Sequence, residues 1–101
     1  MFIAKVVGSV IATQKTESMR GTKLMLIEPD VIDPQTRDRL ITTSRSLVAV
    51  DVVGAGEGNF VLVVQGSSAR MTPETKPLPV DCTIIGVIDA ATLSHTSLPL
   101  D

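Results

Sequence analysis

Aromatic side chains are nearly missing from this chain of 101 residues: Phe2 and Phe60 are the only two, with no Trp and no Tyr. A core must therefore be built from Val, Ile, Leu, Ala and Met, and a single-stranded nucleic acid would find few rings on which to stack its bases. One cysteine, Cys82, excludes an intrachain disulfide, and one cysteine with one histidine, His95, cannot make a zinc site. The nine basic residues are scattered from Lys5 to Lys76 without a run, and the net charge is −2, so no electrostatic footprint for a polyanion is present. No apolar stretch approaches the roughly 18–20 residues that span a bilayer, and Met1-Phe2-Ile3-Ala4-Lys5 has no charged leader ahead of an apolar segment. These absences together predict a cytoplasmic protein with no cofactor, no metal, no nucleic-acid partner and no membrane partner.

What is present is short-period and aliphatic. The length fits one domain, 1–101, and 44% of the residues are hydrophobic. In 2–13 one alternating phase, Phe2, Ala4, Val6, Gly8, Val10, Ala12, is wholly apolar, which predicts a long strand with one buried face and a bend at Gly8. Lys23 to Glu28 reads as a second strand, apolar on both faces and stopped by Pro29. Residues 29–46 carry turn signals and the charged Arg37-Asp38-Arg39, and read as an excursion loop or hairpin whose return arm holds Leu40-Ile41. Leu47 to Val53, Phe60 to Gln65 and Asp81 to Ile88 complete five strands. Ser67 offers an N-cap for one helical turn that Pro73, Pro77 and Pro79 prevent from continuing, and 90–101 reads as a polar C-terminal tail around His95. The expected fold is all-β: a small five-stranded OB-like barrel, mainly antiparallel, with one short helix between strands four and five.

The segment from Val50 to Arg70 mimics chemistry that it does not carry. Gly54, Gly56 and Gly58 suggest a phosphate loop, but such a loop opens a helix whose free N–H groups face the anion, and this one opens onto the β-branched run Phe60-Val61-Leu62-Val63-Val64. Gly66-Ser67-Ser68 lacks the closing glycine of a nucleophile elbow. Asp51, Asp81 and Asp89 stand at strand ends, where carboxylates cap turns, pair with Lys23 or Arg70, or meet a neighbouring subunit. Arg70 reads as a solvated arginine or as a two-pronged carboxylate clamp, across a subunit interface or within one chain. The Gly54-Ala55-Gly56 loop reads as a hairpin turn with positive φ or as a close backbone approach between subunits. No catalytic residue is assigned.

The start Met1-Phe2-Ile3-Ala4-Lys5-Val6-Val7-Gly8, then Lys23-Leu24, Val50-Asp51, Gly54-Ala55-Gly56, Gly66-Ser67-Ser68-Ala69-Arg70, Pro79-Val80-Asp81 and Gly86-Val87-Ile88-Asp89 resemble, in order, the EutN/CcmL family of bacterial microcompartment vertex proteins. The resemblance covers nearly the whole chain. It implies a structural protein rather than an enzyme: a barrel that closes into a homopentamer at the five-fold vertices of a polyhedral shell, beside hexameric shell tiles. Gly54, Ala55, Gly56, Ser67, Ser68, Arg70 and Asp81 are then candidates for subunit contacts or a pore rim, with the glycine loop and the Ser67–Arg70 turn grouped on one contact patch. The competing expectation is an OB-like barrel that binds single-stranded nucleic acid or a small ligand.

Overall fold

The computed structural model describes residues 1–13, 15–76 and 80–100. Among these residues eight strands form: β1 (Phe2–Val10), β2 (Leu24–Ile32), β3 (Leu40–Thr42), β4 (Leu47–Asp51), β5 (Phe60–Gln65), β6 (Cys82–Val87), β7 (Thr92–Leu93) and β8 (Thr96–Ser97). Hydrogen bonding runs in the order β1-β5-β6-β4-β2, and a β1–β2 pairing closes the ring, so the expected five-stranded barrel is present, with β3 added on β2. Every barrel pairing is antiparallel except β4 with β6.

The inward phase of each strand is aliphatic. Ala4 and Val6 from β1, Met25 and Ile27 from β2, Ala49 from β4, Val61 and Val63 from β5 and Ile84 from β6 form one buried cluster. β1 serves both sides of the barrel, pairing with β5 through Phe2–Lys5 and with β2 through Ile3–Val10, and its register with β2 shifts between Val6 and Gly8. A bulge of this kind bends a strand round a barrel corner. The glycine there is less constrained than its place suggests, since a Cβ on Gly8 would meet only Leu26 Cβ, at 3.9 Å.

Pro29 does not end β2, contrary to the sequence expectation. In an antiparallel strand the N and C=O of one residue point to the same edge. The Pro29 carbonyl accepts from Thr43 N at 3.0 Å and Thr43 Oγ1 at 2.9 Å, on the edge that faces β3 and β4. The missing proline N–H faces that same edge, where the partner ladder is interrupted between Thr42 and Leu47, so no pairing is lost. β2 therefore continues past the barrel, and residues 33–39 turn the chain back into β3. Asp33 organises that turn: its Oδ1 accepts from the N–H of Gln35 at 2.9 Å and of Thr36 at 3.4 Å, and Arg39 Nε lies 3.3 Å from Oδ2. The Gln35 N–H foremost, then the Thr36 N–H and hydroxyl and the Arg39 guanidinium, hold the Asp33 carboxyl below the usual carboxylate range, against a smaller opposing effect of burial.

The short helix lies where it is expected, between the Phe60–Gln65 and Cys82–Val87 strands (β5 and β6 once β3 is counted), as the 3-10 turn Gly66–Arg70. Two further expectations are corrected. The turn starts one residue before Ser67, from Gln65, with no side-chain cap, so neither serine caps it. Of the prolines thought to stop it, Pro77 and Pro79 lie outside the described residues. Residues 90–98 are not a loose tail: β7 and β8 pair antiparallel, Leu98 N donates to Ala91 O at 2.8 Å, and Leu98 is buried. Ser94 and His95 form the tip with φ of 50° and 68°, the geometry of a two-residue hairpin turn.

Candidate assembly site

The glycine loop, residues 52–59, is built round one carboxylate. Asp51 ends β4 with its side chain out of solvent. Its Oδ1 accepts from Val53 N at 3.0 Å and Gly54 N at 3.1 Å, and its Oδ2 from Ala55 N at 2.8 Å. Lys23 Nζ lies 3.1 Å from Asp51 Oδ2 and donates to Ala55 O at 2.8 Å, so it bridges the carboxylate to the loop it holds. Gly54 and Gly58 take φ of 84° and 92°, where a Cβ would be strained. Asn59 and Gly58 then exchange backbone hydrogen bonds with Val6 at 2.9 and 2.8 Å, and tie the loop across the barrel end.

This geometry revises two readings of the loop. It is not a hairpin turn, because β4 and β5 are not hydrogen-bonded to each other. Ala55 is not a free contact residue either, since it is 1% exposed and packs in the core cluster as a plug for that end of the barrel. Gly54 and Gly56 remain exposed on the loop surface.

Ser67, Ser68, Arg70 and Asp81 gather at the opposite end. The Gly66 N–H donates to the Asp81 carbonyl at 2.8 Å, joining the 3-10 turn to the start of β6. Ala69 is buried, and its carbonyl accepts from the Thr83 hydroxyl at 2.6 Å, which seats the turn on the barrel wall. Ser67, Ser68, Arg70 and Asp81 are exposed, and among the described residues no hydrogen bond or ion pair is made by the Arg70 guanidinium. The strand between the two groups has six residues, about 20 Å of extended chain. The glycine loop and the Ser67–Arg70 turn therefore lie on two separated ends and not on one patch.

Sequence reasoning passed over the barrel mouth beside the Ser67–Arg70 end. There a groove of about 310 Å³ is floored by Phe2, Pro29 and Leu47 and walled by Val31, with Asp30 and Arg45 on its rim. Continuing the β2 alternation through Pro29 would have found it. Burial, then the charge of Glu28, pushes the Asp30 carboxyl up, while Lys5 opposes them.

Nothing in these surfaces resembles a reaction centre. Among the described residues no cluster of His, Cys, Asp or Glu could hold a metal, and no buried side-chain nitrogen or oxygen lacks a hydrogen-bond partner. Cys82 is buried, and burial foremost, then Asp81, pushes its thiol up, away from the reactive thiolate. Among the described residues the surfaces are those of a closed barrel with both ends structured and several bare aliphatic positions.

Residues 1–89 match the family described as ethanolamine utilisation protein EutN/carboxysome. The bacterial microcompartment shell vertex protein GrpN of Rhodospirillum rubrum is 37% identical over 89 residues, 88% of this chain and 93% of that protein. The carboxysome shell vertex protein CcmL of Synechocystis sp. is 38% identical over 98 residues, 97% of this chain and 92% of its own. The solved structure of Gloeobacter violaceus CcmL superposes with a TM-score of 0.83 at 35% identity, covering 96% of this chain and 94% of that one. That of GrpN, a pentameric microcompartment shell protein from R. rubrum, gives 0.74 at 35% identity, covering 92% and 98%. The chain belongs to the EutN/CcmL family of shell vertex proteins, whose members are structural components and not enzymes.

Proposed function

We propose that five copies of this barrel close into a ring that caps the vertices of a bacterial microcompartment shell in the cytoplasm, each ring seated among hexameric tiles. The observation that carries this reading is the likeness over nearly the whole chain to a pentameric shell protein. A flat layer of six-fold tiles closes into a polyhedron only when five-fold units are inserted, so a few rings decide whether the shell is sealed. The exposed candidates divide by barrel end: Gly54 and Gly56 at one, Ser67, Ser68, Arg70 and Asp81 at the other. Arg70, exposed and without an intrachain partner among the described residues, would on this reading clamp a carboxylate of a neighbouring subunit.

Binding of single strands is disfavoured by the two rings themselves. Phe60 is buried beneath Lys5, whose Nζ sits 5.6 Å from the ring centroid, and Phe2 packs partly into the core. The test of the vertex role is co-production with hexameric shell proteins. Shells made with this chain are expected to be closed polyhedra that retain an encapsulated fluorescent cargo, and shells made without it to leak. Closed, cargo-tight shells in its absence would contradict the reading.

A further inference from the structure

Along β2 the odd-numbered residues face inward, and Met25, Ile27 and Pro29 are buried. Val31 continues that phase yet is 48% exposed, and Ile41, directly opposite it on β3, is 36% exposed. The reason is topological. β2 pairs with β4 only as far as Ile27 and with β1 as far as Asp30, so Val31 and Ile32 pair with β3 alone. A two-stranded ribbon with a bare apolar face is marginal in water. This face is also continuous with the barrel mouth, where Phe2, Pro29 and Leu47 extend the core outward. Of the charged residues nearby, Asp33 and Arg39 satisfy each other at the ribbon tip, while Asp30, opposite Thr42, stands with Arg45 on the rim of the mouth and leaves the Val31–Ile41 pair itself aliphatic.

We propose that the Val31–Ile41 face of the ribbon, with the barrel mouth beside it, is the seat of a second copy of this chain, one half of the head-to-tail contact that closes the ring. The proposal rests on the pentamer reading. A cyclic interface is heterologous and needs two unlike patches on each copy. The other is the outer wall of β2 and β4, where Leu24 and Leu26 are half-buried and Val48 is 47% exposed. The aliphatic character selects a copy over a tile. Permanent homo-oligomer interfaces are apolar like a core cut in two, whereas a contact between separately made shell parts stays in water until the shell closes.

The test uses the purified protein without tiles. A photoreactive benzoylphenylalanine replacing Ile41 is expected to give, on illumination, a covalent ladder of up to five chains, with cross-linked peptides mapping to the Leu24–Ile27 or Leu47–Asp51 strands. Val31→Ser/Ile41→Ser is expected to lose the pentamer at micromolar concentration in native mass spectrometry while its β1 and β5 amides keep their protection from exchange. A pentamer from Val31→Ser/Ile41→Ser, with no intermolecular cross-link from position 41, would overturn the proposal and leave the pentamer reading standing. A wild-type protein that is not pentameric would overturn both. Should Val31→Ser/Ile41→Ser lose its amide protection, the cross-link decides: the ladder supports the proposal and its absence overturns it.

Discussion

Replacing Asp51 with alanine is expected to lower the melting temperature by about 15–30 °C, while Lys23→Met costs only a few degrees. Asp51 is a buried carboxylate that accepts three backbone N–H groups of the glycine loop and faces the Lys23 ammonium. Removing it leaves three donors without their acceptor and a lysine without its counter-charge, a loss of about 3–5 kcal/mol for a buried partner. For a domain of this size each kcal/mol moves the midpoint by roughly 4–8 °C. Lys23 is half-exposed, so its own share of the pair is screened to about 0–1 kcal/mol, and the three N–H bonds survive its removal. Scanning calorimetry at one fixed protomer concentration separates the two. Equal, small shifts in both variants would mean that the loop is held by something other than the carboxylate.

Ala55→Glu and Gly56→Glu, one residue apart, are expected to fail in different ways. Ala55 lies in the core, so a glutamate there must either bury a charge without a partner or expel the loop that plugs the barrel. Loss of folded protein is the expected result, and the variant says nothing about subunit contacts. Gly56 is exposed, its φ is not positive, and a Cβ on it meets only Asn59 Oδ1 at an ordinary 3.7 Å. Gly56→Glu is expected to keep the melting curve of the isolated barrel and to reduce ring formation if the loop abuts a neighbour. A folded Ala55→Glu protein with normal amide protection in β5 would show that the plug is not required. A Gly56→Glu protein that assembles at wild-type concentrations would remove this loop from the interface.

The barrel strands were legible from two local signals: the alternating Phe2, Ala4, Val6 phase of β1, and the short, continuous β-branched run Phe60–Val64 of β5, neither of which needed tertiary information to be recognised as a strand. Pro29 was misread because the rule that proline stops a strand concerns a lost ladder donor. Whether a partner awaits that donor depends on β3 and β4, which are distant in sequence. The β7–β8 hairpin was missed because Ser94 and His95 occupy positive-φ positions that usually advertise themselves with Asn and Gly. Among the candidate residues, the Asp51–Lys23 pairing was foreseen as one option for a strand-end carboxylate. Ala55 was not foreseen as core, because a loop that folds back over a barrel end has no periodicity to reveal it. Grouping Gly54–Gly56 with Ser67–Arg70 followed from their closeness in sequence, and the strand between them is what carries them apart.

The five-fold ring is tested most directly by the native mass of the purified protein at micromolar concentration. Five times the 10.7 kDa chain mass, unchanged on dilution through the micromolar range, is the expected result. A stable monomer or dimer would contradict it.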